Sequence, residues 1–262
     1  MIEEKGCGKC RLPVFTEINI PHLILCSLFP VPSFFSSMCG RFTQRQSADA
    51  IAQQFDLGFV PDSPPRYNIA PTQLIAAVTQ PESAAQRQFR VFQWGLVPFW
   101  AKDASLGAKL INARSETVAE KPSFRAAFRY RRCLIVADGF YEWQRVESGK
   151  QPHFFHLQDD QPFAFAGLWE HWESPQNEIL ETCTILTTEA NEVLSPIHNR
   201  MPVMLHPEDY DLWLDPSLNM ASKLLPLLRP YSADEMASYP VSKMVNKASS
   251  DRPECIEPLK AE

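Results

Sequence analysis

Apolar positions along this chain recur in short bursts, and no burst holds one period for long. In SADAIAQQF, Ile51 and Phe55 fall four apart on one helical face and Ser47 can cap the first turn, which predicts a short helix ending at Phe55. PDSPPRYNIAP holds too much proline for a helix or a central strand and reads as an ordered loop. Gln73–Thr79, Gln88–Val97 and a short Leu110–Arg114 read as strands, and a helix centred on Phe124–Phe128 follows. Cys133–Ala137 is a strand that ends at Asp138-Gly139, and FYEW continues beyond that turn. HFFHL and FAFAGLW predict a hairpin about Asp159-Asp160-Gln161-Pro162. Thr182–Thr187 adds a strand, Pro207 suits the first turn of a helix in PEDYDLWL, and Tyr239–Val245 is expected to close the sheet. Together these predict an α+β fold: one domain over 38–262, mainly antiparallel, with short flanking helices.

Composition supports that picture. The 262 residues are 45% hydrophobic, enough for a full core, and 23 prolines against nine glycines suit short elements joined by rigid turns. Net charge is −6. Residues 1–37 balance Lys5, Lys9 and Arg11 against Glu3, Glu4 and Glu17, so the whole excess belongs to 38–262. A molecule-wide basic field for duplex DNA is excluded, and any nucleic-acid contact needs a local cleft. Seven cysteines at irregular spacing favour reduced thiols and a cytoplasmic protein. Cys7 and Cys10 form a CxxC without a second pair, and no metal is expected. The apolar run Ile18–Phe35 is broken by Pro21, Pro30 and Pro32, and the chain opens Ile-Glu-Glu-Lys, so neither a membrane span nor a secretory signal is expected. Residues 1–37 read as a disordered extension or a mis-assigned start, with Met38 beginning the working protein.

The polar residues that stand out lie at strand ends: Asn112 and Arg114 in LINARSET, Glu142 in DGFYEW, His198 and Arg200 in IHNRMPV. Each also has a plain structural reading, as a partner of backbone groups or a solvent-facing residue, and spacing alone does not bring them together. His153 and His156 form an HxxH, but residues three apart on a strand point to opposite faces. Arg125, Arg129, Arg131 and Arg132 are either a solvated helix edge or a phosphate-facing rim. Trp94 and Trp100, in WGLVPFW, are either core or stacking platforms.

Taken in order, MCGRF, RYNIAP, WGLVPFW, LINARSET, CLIVADGFYEW, FAGLW, LTTEAN and IHNRMPV resemble the SRAP family, the SOS-response-associated peptidase-like proteins that cross-link abasic sites in single-stranded DNA. The resemblance covers almost all of 38–262 and none of 1–37. It implies a strongly curved sheet around a positively lined channel, with abasic single-stranded DNA as partner and no cofactor. A monomer is expected, at the nucleoid if the source is bacterial. By the same resemblance Cys39 is the reactive residue once Met38 is removed. Its α-amine, near pKa 7.7–8.0 in reference peptides, would attack the ring-opened sugar aldehyde, and its sulfur would close a thiazolidine. Asn112 would hold the reacting centre, Glu142 would move protons, and His198 would assist ring opening. Arg41, Arg114 and Arg200 would clamp phosphates and Thr187 would support the site. Asn68, Pro71 and Trp94 would shape the channel or stack on bases.

As numbered, Cys39 follows 38 residues and its nitrogen is an amide, so initiation at Met38 or cleavage before Cys39 is required. Two rivals stay open. One is a cysteine peptidase with Cys39 as nucleophile and His198 as base; the other is a non-covalent reader of damaged single-stranded DNA.

Overall fold

The structure, a computed structural model, describes residues 40–84 and 86–260. The segment 1–37, its Cys7-Cys10 pair and Cys39 lie outside the described residues. The first strand, β1 (Phe42–Gln44), runs into α1 (Ala48–Phe55), where Ser47 Oγ accepts from Ala50 N at 3.2 Å and Asp56, at φ 51, ends the helix in the left-handed region. Strands β2 (Arg66–Ile69), β3 (Leu74–Thr79), β4 (Gln88–Trp94) and β5 (Asn112–Arg114) follow. After α2 (Arg125–Tyr130) come β6 (Arg132–Ala137), β7 (Gly139–Val146), β8 (Gly149–Leu157), β9 (Phe163–Glu173) and β10 (Ile179–Glu189). The chain finishes with β11 (Arg200–Pro202), β12 (Met204–Leu205), α3 (Tyr210–Leu214), α4 (Ala221–Leu224) and β13 (Met236–Pro240).

Two sheets result. The smaller has the order β13-β8-β7-β1-β2. In the larger, β10 pairs with β4 on one side and β9 on the other, which closes a ring through β4, β3, β6 and β9. This is the strongly curved sheet of the α+β expectation. Pairing is mainly antiparallel, and β10 alone adds parallel partners in β4 and β5.

Three expectations change. Part of PDSPPRYNIAP forms β2, which the prolines permit because it lies at a sheet edge. β8 and β9 do not form a hairpin. β8 pairs with β7 and β13 while β9 enters the ring, and Asp160, at φ 55, turns the chain from one sheet to the other. The closing strand ends at Pro240, and Lys243–Asn246 is a 3-10 turn.

One face of the ring strands, through Ala76, Val78, Leu134 and Val136, packs on Phe55, Phe128, Tyr210 and Trp213 from the helices. The opposite face, through Ile75, Phe92, Ile135 and Ile185, shares a second layer with Phe42, Phe140 and Phe155 of the smaller sheet. The far face of the smaller sheet buries Tyr141 and Phe154 against Val241 and Val245. None of the helices among the described residues is long and apolar enough to cross a membrane.

Candidate active site

Beside the second layer, β1 is gripped by β7. Asp138, buried just before β7, accepts from Thr43 Oγ1 at 2.5 Å, Arg45 Nε at 3.0 Å and Gln46 N at 3.0 Å, and also from Arg45 N. Asp138 N donates to Thr43 O and Tyr141 N to Arg41 O, each at 3.0 Å. The register Phe42↔Phe140 and Thr43↔Gly139, continued by two residues, sets Gly40 across from Glu142. Gly139 permits this approach, because a Cβ there would stand 2.2 Å from Phe154 Cζ and 2.9 Å from Thr43 Oγ1. Glu142 alternates with Tyr141 and shares the face of Phe140, so its buried carboxyl group belongs to the second-layer side.

Asn112 comes to the same layer from the other sheet. It pairs with Ile185 of β10, a second-layer residue, and Arg114 pairs with Thr187 two positions on. Thr187 is buried, with Oγ1 donating to Ala113 O at 3.5 Å. Arg200 on β11 donates Nη2 to Thr187 O at 2.6 Å, and its guanidinium grips Glu116, with Nη2 to Oε2 at 3.0 Å and Nη1 to Oε1. That hydrogen-bonded pairing with Arg200 holds the Glu116 carboxyl below the usual range. Arg200 therefore already carries an anion, whereas exposed Arg114 has no ion-pair partner among the described residues.

His198 precedes β11. Its Nδ1 faces both Arg200 N at 3.1 Å and Arg200 O at 3.3 Å, accepting from the first or donating to the second according to the tautomer. Burial lowers its pKa, the bond to Arg200 opposes this, and the charges of Arg145, Arg200 and Lys150 lower it further. Arg145 and Lys150 are cross-strand partners at the end of the β7–β8 hairpin, and sequence reasoning did not single them out. Only the pairing of β7 with β8 reveals this concentration of charge.

Three assignments need correction or narrowing. Trp94 offers no face to a base. It is fully buried, meets Phe42 edge-on at 5.2 Å, and donates Nε1 to Ile111 O at 2.9 Å. The exposed rings of WGLVPFW are Phe99 and Trp100, on the loop that Leu96 N ties to Leu110 O shortly before Asn112. Asn68 is fully buried and bonded to backbone, so it shapes the site only indirectly. Arg41 spends its guanidinium on Asn68 Oδ1, Val245 O and Asn246 O, and burial lowers its pKa. Pro71 sits half-buried in the turn between β2 and β3, where Thr72 N donates to Trp94 O at 2.8 Å.

The HxxH splits as the alternation requires. His153 pairs with Glu142, while His156 stacks beside Phe154 on the other face. In the arginine cluster, Arg132 is buried among five backbone carbonyls with its pKa lowered to about 10 by desolvation, and Arg131 pairs with Glu170. Those two are structural. No group of three His, Cys, Asp or Glu residues among the described residues could hold a metal ion.

A family model described as SOS response associated peptidase (SRAP) matches residues 38–248. Abasic site processing protein YoqW of Bacillus subtilis is 45% identical over 224 residues, covering 84% of this chain and 99% of that protein. Abasic site processing protein HMCES of Gallus gallus is 34% identical over 206 residues, covering 70% of this chain and 61% of that protein. A crystal structure of a protein from Bacteroides thetaiotaomicron superposes with a TM-score of 0.75 at 27% identity, covering 85% of this chain and all of that one.

Proposed function

The chain belongs to the SOS response associated peptidase (SRAP) family, and from that membership we propose that it processes abasic sites in DNA by capturing them covalently on Cys39. Relatives that match most of the chain are named abasic site processing proteins. The observation that carries the reading is the β1–β7 register, which brings the chain immediately after Cys39 across from the buried Glu142.

The reaction needs an unblocked amine and a thiol on one residue. The Cys39 α-amine adds to the aldehyde of the ring-opened deoxyribose, water leaves, and the imine carbon then accepts the Cys39 sulfur to close a thiazolidine. Both nucleophiles come from one residue, so ring closure is intramolecular. Glu142 takes the proton released by the attacking amine and returns one to the departing oxygen. Asn112 holds the sugar. His198, held at Nδ1 by the Arg200 backbone, assists ring opening. Cys39 acquires its amine through initiation at Met38 and removal of that methionine; autocatalytic cleavage before Cys39 is the other route.

Single-stranded DNA suits the site because an abasic nucleotide has no base to unstack. Phe99 and Trp100, exposed where Trp94 is buried, take the stacking role. Arg114, with Arg145 and Lys150, supplies phosphate contacts, and Arg200 joins them by exchanging Glu116 for a phosphate.

A denaturing gel tests the reading. Single-stranded oligonucleotides with one abasic site should shift covalently, and intact or aldehyde-free oligonucleotides should not. A shift seen only on native gels would favour a non-covalent reader, and cleavage of peptide substrates without a DNA adduct would favour a peptidase.

A further inference from the structure

Residues 241–258 form a strap over the far face of the smaller sheet. Val241 bridges to Pro258, and between them lie 3-10 turns at Lys243–Asn246 and Pro253–Cys255. Val241 and Val245 bury with Tyr141 and Phe154, and Ile256 packs against that cluster. Trp143 Nε1 donates to Asn246 Oδ1 at 2.7 Å.

The strap is tied to the segment beside Cys39 through one buried hub. Asn68 Nδ2 shares its protons among Val245 O, Lys247 O and Ser250 O at 3.1, 2.9 and 2.8 Å. Asn68 Oδ1 accepts from Arg41 Nη1 at 2.9 Å. The same Nη1 donates to Val245 O at 2.6 Å, and Nη2 reaches Asn246 O at 3.3 Å. Asp251 Oδ1 closes the loop by accepting from Asn68 N at 3.0 Å and from Tyr67 N.

Arg41 is thus held twice, its carbonyl by Tyr141 N and its side chain by the strap. A residue at the very start of a working chain is ordinarily its least ordered part. A reaction there needs the nucleophile fixed, and a misplacement of about 1 Å can cost roughly a hundredfold in rate. We propose that the 241–258 strap, through Arg41, Asn68 and Asp251, positions residue 39 for reaction, and that Arg41 is a positioning residue with no phosphate to hold. This rests on the aminothiol chemistry proposed above.

A phosphate contact and a positioning contact separate by experiment. Arg41→Gln, Arg41→Lys and Asp251→Asn would be compared with wild-type protein, each with Cys39 as its first residue, in two assays. One is single-turnover cross-linking at saturating abasic oligonucleotide; the other is salt-dependent binding of an oligonucleotide carrying tetrahydrofuran, which lacks the aldehyde. All three substitutions should lower the maximal cross-linking rate about tenfold or more while leaving tetrahydrofuran binding and its salt slope unchanged. Arg41→Lys keeps the charge but cannot span the same oxygens, so it should fall with Arg41→Gln. Asp251→Asn keeps Arg41 intact and tests the strap without it. The inference is overturned if Arg41→Gln weakens binding and flattens the log–log salt slope by about 0.7, with Arg41→Lys near wild type and the maximal rate unchanged. Wild-type protein that forms no adduct would overturn the chemistry itself, so the two failures are told apart in the wild-type lane.

Discussion

At the residue scale, the charged groups differ by what already holds them. Arg200 grips Glu116, a half-exposed carboxylate, so an incoming phosphate competes with that side chain. Glu116→Gln should tighten binding of a tetrahydrofuran oligonucleotide up to about fivefold, the worth of one exposed ion pair, as read by fluorescence anisotropy. Unchanged or weaker binding would remove Arg200 from the DNA contacts. His198 titrates below its ordinary pKa through burial and through the charges of Arg145, Arg200 and Lys150. Its neutral form therefore persists to lower pH than in a free histidine, and the rate should fall only on the acid side of about 6.5, histidine's unperturbed pKa. Arg145→Gln with Lys150→Gln removes two of those cations and raises the His198 pKa, so the acid limb of the cross-linking pH profile should move to higher pH. A limb that stays in place would show that His198 does not set it. Cys39, Asn112 and Glu142 were singled out only through ordered motifs, because each residue type alone has several structural uses. The choice between core and stacking platform for Trp94 was not legible, because its burial depends on Phe42 and Ile111, which the local sequence WGLVPFW does not reveal.

At the scale of elements, β1 is the decisive strand, and its place depends on Asp138-Gly139. Gly139→Ala would drive a methyl group into Phe154 and Thr43, and should cost about 3 kcal/mol. Urea denaturation should show a lower midpoint with an unchanged m-value, and cross-linking should slow as β1 shifts. A midpoint equal to wild type would mean that β1 tolerates the displacement. The end of the β7–β8 hairpin behaves oppositely. Arg145 and Lys150 face each other across the strands, a like-charge arrangement that favours an anion between or beside them. Most elements could be read from the sequence: the α1 cap at Ser47, β3, β6 and the turn before β7 follow from local pattern and turn chemistry. The β8–β9 connection could not, because five residues around Asp160 serve a hairpin or a change of sheet equally well. The outcome rests on which edges β6, β10 and β13 fill. β2 escaped notice because its edge is covered by Asp251, 184 residues from Tyr67 in sequence.

At the scale of the whole molecule, the closed ring of strands and the smaller sheet meet along a shared apolar layer, with the candidate groups contributed from both. Asn112 and Thr187 belong to the ring side, while Glu142 and the chain after Cys39 belong to the smaller sheet. Net charge of −6 is compatible with DNA binding because screening confines the field of distant carboxylates to about 8 Å at cellular salt, leaving local arginines to act. The measurement closest to the central claim is mass spectrometry of the peptide left on an abasic oligonucleotide after protease digestion. The account predicts a single DNA-bound peptide beginning at Cys39, with the mass of that peptide plus the ring-opened strand less one water. Cys39→Ser should leave no heat-stable adduct. An adduct mapped to a lysine, or an equally durable one from Cys39→Ser protein, would contradict it.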